Sequence, residues 1–269
     1  EKEAKTHNDV ILLQHATEGC AGMTHSKTYE WWKWAGNALH GTSITHVLKT
    51  EDDVVLHLPN VMAAVRASYR IVGRRRASRA LYLGGFAYAG YSTRAFRMCG
   101  FDWSEGGGNY ARYGCDKVPG MYPPVPFAQG PFELLSMGLI QRITADKAIA
   151  DFVSRAKMHG GGGGRAAEDV LLGVWVSHVM ASSASSDADD EVVHAAVDLN
   201  SLADLHCGGN KNQLMSTPPS RDQLLVHRLK TPETTAYVWE VLSCQIEHTR
   251  RACRDRACKG KGTGACADA

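Results

Sequence analysis

The chain has 269 residues, with 30 Lys and Arg against 28 Asp and Glu, a formal net charge of +2, and 44% hydrophobic and 22% charged residues. That balance excludes a globally disordered chain and leaves no large field for steering onto nucleic acid or an anionic membrane surface. A single soluble α/β domain of this length can bury about three quarters of its surface, no apolar stretch approaches the roughly 20 residues that span a bilayer, and no secretory signal opens the chain.

In chain order the pattern alternates between strand and helix. Residues 9–13 read as a short apolar strand. Residues 27–39 read as a helix behind a Thr24 or Ser26 cap, with Tyr29, Trp32 and Ala35 on a core-facing stripe. A strand over 43–49 feeds the acidic run Glu51-Asp52-Asp53, and a helix over 58–69 follows with Pro59 in its first turn, where a missing N–H costs nothing. Arg74-Arg75-Arg76 reads as a solvated turn, residues 81–83 as a strand, and residues 136–150 and 169–179 as helices. The glycines of 160–164 and the Ser/Asp-rich stretch 182–190 read as flexible surface loops. The glycine run is no phosphate loop, because a helical segment precedes it where such a loop needs a strand. A hydrophobic strand over 224–228 delivers His227, and Thr231-Pro232-Glu233 opens a last helix with Tyr237, Val238, Val241 and Leu242 on its apolar side.

Eight cysteines exceed ordinary cytosolic usage without forming a dense disulfide framework. Cys253, Cys258 and Cys266 fall in a basic tail, residues 248–269, that reads as disordered. Without a Cys-x-x-Cys pair, disulfides within the tail or back to Cys207, or free thiols, fit it better than zinc.

The chemistry concentrates in Glu51, Asp52 and Asp53, three carboxylates at the end of a buried-type strand. Burying one unpaired carboxylate costs several kcal/mol, so three together call for a cation or an opening to water. A hard divalent cation, Mn²⁺ or Mg²⁺, is the simplest partner, and such sites commonly share the ion with substrate phosphates. Taken singly, each feature keeps a plainer reading: the acids as a solvated loop, His227 as a core histidine, Glu168 and Asp169 as first-turn carboxylates at a positive helix end.

Five ordered segments carry a resemblance: the acidic run with its flanks (LKTEDDVVLHLPNV), Leu81–Gly85 (LYLGG), Tyr122-Pro123-Pro124 followed by residues 128–136 (AQGPFELLS), residues 166–176 (AAEDVLLGVWV) and residues 224–233 (LLVHRLKTPE). Together they resemble the β-1,3-galactosyltransferase-like proteins of glycosyltransferase family 31. The resemblance implies a GT-A-like, Rossmann-related α/β domain over residues 1–247, with a mixed sheet flanked by helices and the first strand or strands missing. It implies a metal-dependent, inverting hexosyltransferase that moves galactose or an N-acetylhexosamine from a UDP-sugar to a glycoprotein or glycolipid glycan in β-1,3 linkage.

By the same resemblance, Asp53 and His227 hold Mn²⁺ or Mg²⁺, and Asp52 and Glu51 steady the ribose or a metal-bound water. Glu51 stands where the family more often has Asp. Asp169 is the base that takes the acceptor proton, Glu168 positions donor or acceptor, and Gly173 allows close packing one turn on. Gly130 lets backbone approach the donor sugar, with Phe132 and Glu133 standing where the family has a glycine and an aromatic. Lys27 matches a lysine near the nucleotide. A Golgi luminal location, with a membrane anchor upstream of Glu1, is also expected by resemblance. The missing N-terminal strand motivates an alternative, a non-catalytic member or fragment that binds glycan or a partner transferase.

Overall fold

The computed structural model describes residues 6, 10–11, 13, 23–72, 80–92, 97–99, 121–158, 168–183, 192–204, 219–220 and 222–246. The fold is α/β with mixed sheets and helices, and the chain separates into two compact units. One takes Glu1–Leu48, Ser78–Gln129 and Glu133–His194; the other takes Lys49–Ala77, Gly130–Phe132 and Ala195–Ala269. Among the described residues no helix is long and apolar enough to cross a membrane.

The first unit is built on a five-stranded sheet. Its path runs β1 (His46–Lys49), β5 (Met121–Ser136), β3 (Ala80–Ser92), β4 (Arg97–Cys99), and β6 (Val192–Ala196) also pairs with β3. The strand expected at residues 81–83 is the start of the 13-residue β3, whose antiparallel partner is the 16-residue β5. No strand was expected over β5, which carries Pro123, Pro124, Pro126 and Pro131, residues without an N–H to donate to a ladder. Gly84 faces Glu133 but Phe86 faces Ala128, so residues 129–132, with Pro131, bulge from the ladder, while Pro126 stays in it opposite Tyr88.

Four helices of this unit are described at length. Helix α1 (Met23–Ala38) buries Tyr29, Trp32 and Ala35, as the helical spacing predicts. The single helix expected over 136–150 is two, α3 (Met137–Ala145) and α4 (Lys147–Met158). Ser136 caps the first by accepting from the Leu139 N–H, and Asp146 ends it with extended backbone while its carboxylate accepts the Ile149 N–H of the next. A side chain that can cap offers the backbone an alternative to continuing the helix. Helix α5 (Glu168–Ser183) extends beyond the expected 169–179 and includes the first two residues assigned to the loop at 182–190. It is buried on every side at Val170, Leu171, Leu172, Val174, Trp175 and Val176, the pattern of a central helix. Trp175 meets Tyr29 edge to face at 5.6 Å, within a core that also holds Tyr82, Phe127, Leu139 and Ile140.

The second unit carries a three-stranded sheet ordered β2 (Val55–Leu56), β8 (Leu225–His227), β7 (Leu202–Asp204), antiparallel on one side of β8 and parallel on the other. Helix α2 (Leu58–Val72) starts where Pro59 predicts, and its entry is fixed by His57 N–H to Leu224 O and by Asn60 Nδ2 to Gln223 O, both 2.8 Å. Helix α6 (Pro232–Ile246) begins behind Thr231, whose hydroxyl accepts from the Thr234 N–H, and packs Val238 and Leu242 on Val55, Val226 and Leu229.

The strand expected at residues 9–13 is not formed at Val10, Ile11 and Leu13, the described part of that segment, and the first two are exposed. Four apolar residues hold no strand by themselves, since backbone groups need a neighbouring ladder. The arginine turn at 74–76, the glycine run, residues 184–190, Cys207 and the other residues of 205–218, and the cysteine tail lie outside the described residues.

Gly173 shows how tightly α5 meets β5: a Cβ there would lie 2.6 Å from Pro126 O and 2.7 Å from Phe127 Cβ. Backbone cannot yield as a flexible side chain can, so Gly173→Ala should destabilise by about 1–3 kcal/mol, read as a lower denaturation midpoint. A second expectation concerns pH. Burial lowers the pKa of His46, His57 and His194 below the ordinary 6.5. The unfolded chain therefore takes protons that the native state refuses, and stability should fall as pH drops below 6.5 until the folded-state values are passed. His194 lies against Phe86 and Tyr82, so His194→Phe should lose less thermal stability than the parent between pH 7.5 and pH 5.5.

Candidate metal centre

The acidic run leaves β1 and enters β2, while His227 ends β8, and the antiparallel register Val55↔Val226 and Leu56↔Leu225 brings the two together. Continuing that register backwards sets Asp53 opposite Arg228, where the chain turns. Arg228 has φ 66°, in the left-handed region that a non-glycine residue enters at a cost of roughly 1–2 kcal/mol. The turn directs the Leu229 N–H onto the Asp53 carbonyl at 3.0 Å, clamping the acid loop to the residues just past His227.

The result is a cluster. His227 Nε2 stands 2.9 Å from Glu51 Oε2 and 3.4 Å from Asp53 Oδ1, and one ligand atom from each residue lies within 4.8 Å of the others. Around a cation with bonds of about 2.1 Å, octahedral ligands stand about 3 Å apart in cis and about 4.2 Å in trans. Two of the three spacings already fall in that range, and small side-chain rotations would close the rest. The side chains of His227 and Asp53 are 9% and 10% exposed, while Glu51 is 40% exposed, which leaves the carboxylate of Glu51 as the face toward solvent.

Asp53 carries the strongest electrostatic demand. Its Oδ1 is buried and accepts no hydrogen bond among the described residues. Its Oδ2 accepts from Lys230 Nζ, an exposed ammonium whose pKa is raised by that hydrogen bond first and by the charges of Asp53, Asp52 and Glu51 after it, against some desolvation. A buried carboxylate oxygen without a donor costs free energy that a cation would recover. Two carboxylates and one imidazole within this distance could hold a divalent cation.

Asp53 and His227, the two ligands expected from sequence, are thus adjacent. Glu51, expected to act through ribose or water, joins them directly, its extra methylene giving the reach to His227. Asp52 is exposed in the turn and outside the cluster. Gly130 is buried in the β5 bulge of the same unit, and the next residue, Pro131, accepts from the Thr50 hydroxyl at 2.8 Å, which ties the bulge to the start of the acid run. Lys230 went unassigned in sequence. Its position three residues past His227 was the available signal, but an exposed lysine carries none by itself.

Asp169, Glu168 and Lys27 belong to the first unit. Asp169 is 3% exposed, and its Oδ1 accepts from the Val170 N–H at 2.8 Å. Glu168 Oε2 accepts from Thr28 Oγ1 at 2.9 Å, joining the starts of α1 and α5. Lys27 is exposed on α1. Tyr82, fully buried, has a pKa well above 10 because of burial first and the Glu133 charge next, with Asp169 adding to it; the Ala128 N–H donated to its oxygen at 2.7 Å works the other way. Glu133 is fully buried in β5, so an acidic, water-poor region surrounds the phenol near the start of α5.

A direct check follows. Mn²⁺ at one hundred times its Kd should stabilise the protein by about 2.7 kcal/mol, seen as a rise in Tm. Asp53→Asn and His227→Ala should each remove that rise, and Asp52→Asn should keep it.

No protein-family model matches this chain, and no curated protein matches it.

Proposed function

We propose that this chain is a divalent-cation-dependent hexosyltransferase of GT-A type, which moves a sugar, galactose or an N-acetylhexosamine, from a UDP-sugar to a glycan acceptor with inversion, giving a β-1,3 linkage. The observation that carries the reading is Asp53, a buried carboxylate with one oxygen lacking a donor, held 3.4 Å from an imidazole 174 residues further along the chain. The order of the five resembling segments supports the substrate class.

In this reading Asp53, His227 and Glu51 hold Mn²⁺ or Mg²⁺. The bound cation supplies positive charge where the departing diphosphate gains negative charge. To ligate a cation through Nε2, the His227 ring would carry its proton on Nδ1. The Gly130 bulge, anchored through Pro131 to Thr50, offers backbone without a side chain beside the acid run. Asp169 takes the acceptor proton as the hydroxyl attacks opposite the leaving group. The Asp169 carboxylate, whose Oδ1 accepts the Val170 N–H, would be the acceptor for that proton. Acceptors would be glycoprotein or glycolipid glycans in the Golgi lumen.

One observation favours a second reading. At 3% exposure Asp169 is more enclosed than a base that must meet a macromolecular glycan needs to be, which fits a member that binds cation and nucleotide-sugar without turnover.

Hydrolysis or transfer of UDP-galactose and UDP-N-acetylhexosamines with Mn²⁺ separates the two. The enzyme should lose activity on chelation. Asp169→Asn should lower kcat by about 10²–10⁴-fold, the range for a positioned general base, and leave Mn²⁺ affinity unchanged. Mn²⁺ binding with equally null turnover in parent and variant would establish the binder instead.

A further inference from the structure

Three of the four residues from His227 to Lys230 converge on Asp53. His227 Nε2 stands 3.4 Å from Oδ1, the Leu229 N–H donates to the main-chain carbonyl at 3.0 Å, and Lys230 Nζ donates to Oδ2. An extended strand sends successive side chains to opposite faces, so a β8 that ran on past His227 would carry Lys230 away from the face that His227 uses. The fourth residue, Arg228, allows the convergence through its backbone. With φ 66°, it is the one non-glycine residue in the left-handed region among the described residues.

That conformation is disfavoured for an arginine by about 5- to 30-fold, whereas glycine carries no such penalty and asparagine a smaller one. Strain of this kind persists where the surroundings over-determine it, and it gathers at ligand clamps. Both sides of the turn are anchored. Leu229 is 5% exposed and packs with Val55, Val226 and Val238, while the pairing Asp204↔His227 holds the strand side. Packing fixes the two ends but gives no reason for the strain between them. Its relief is confined to the peptide joining His227 to Arg228, and rotating that peptide re-aims the His227 ring. A ligand set tolerates errors of only about 0.5 Å and about 10–20°.

We propose that Arg228 is a positioning residue of the cation centre and acts through its backbone: the left-handed turn aims His227 at Glu51 and Asp53, a relaxed turn does not, and a bound divalent cation holds the turn closed. In the cation-free protein only the fraction with the closed turn binds, so the apparent affinity is the intrinsic one reduced by that fraction. The inference rests on the metal reading of Glu51, Asp53 and His227, and adds to it the residue that sets how tightly they bind.

The test compares Mn²⁺ affinity, from the electron-spin resonance of the free ion, with Tm across variants at position 228, all binding being measured well below the lowest Tm. Arg228→Gly and Arg228→Asn should tighten Mn²⁺ by about 2- to 5-fold. Arg228→Val, β-branched and least tolerant of positive φ, should weaken it by about 5- to 10-fold, and Arg228→Lys should bind as the parent does. Affinity then follows backbone preference and not side-chain charge. A turn that serves only the fold would move Tm across the series and leave Mn²⁺ affinity flat, and that result overturns the proposal. So does a parental Lys variant beside Gly and Val variants that weaken alike, which would give the role to the charge. Should the Val variant not fold, the Gly and Asn variants decide by tightening or failing to. Loss of Mn²⁺ binding in Asp53→Asn beside a flat series removes the Arg228 role and leaves the metal reading standing; a parent protein that binds no Mn²⁺ removes both.

Discussion

The functional reading depends on a pairing only two residues long. Val55↔Val226 and Leu56↔Leu225 fix where the acid run meets the end of β8. Side chains alternate faces along a strand, so a slip of one residue would turn His227 away from Glu51 and Asp53. Two rungs are too few to resist such a slip by themselves. The clamp from Leu229 N–H to Asp53 O, the bond from His57 N–H to Leu224 O, and the packing of Val55 and Val226 with Leu229 and Val238 hold the register from both ends. Arg228 is the strained point of this arrangement. Its left-handed turn ends the ladder one residue after His227 and lets Lys230 return to the same carboxylate.

How much of this was legible in the sequence follows from what each signal depends on. Pro59, Thr231 and the alternation of apolar and polar residues act locally, and they placed the starts of α2 and α6 correctly. Asp53 and His227 were legible through the ordered resemblance; the residues alone left a loop and a core histidine standing. The approach of Glu51 to His227 was not legible, because side-chain length decides reach only once the partner's position is known. Strand β5 was hidden by four prolines, since whether a proline costs a hydrogen bond depends on a bulge that only tertiary pairing reveals. The break at Asp146 was hidden for a similar reason: an aspartate within a helical pattern becomes a cap only when the chain turns there.

The start of α5 shows why a carboxylate in the right sequence context is harder to interpret than a ligand cluster. Asp169 satisfies the Val170 N–H and sits at a positive helix end, and both are sufficient reasons for an acid at that position. Gly173 is explained by its approach to the backbone at Pro126 and Phe127, independently of any substrate. The buried charges are less easily explained by packing. Glu133 is fully buried, and it and Asp169 both push the Tyr82 hydroxyl toward its protonated form.

The choice between a solvated acidic loop and a cation site turns on Asp53. In a solvated loop, each carboxylate would be hydrated, and its neighbours would matter little. Asp52 and Glu51 fit that description in part; Asp53, with a side chain 10% exposed, does not. Lys230 alone is a weak remedy, because it is more than half exposed and exposed ion pairs contribute little against burial of a charge. It also reaches only Oδ2. The oxygen facing His227 remains, and an imidazole at 3.4 Å meets its demand only through an Nε2–H, for which Glu51 at 2.9 Å is the nearer acceptor. A dication shared by the three groups would satisfy Oδ1, and Glu51 leaves the cluster open toward solvent.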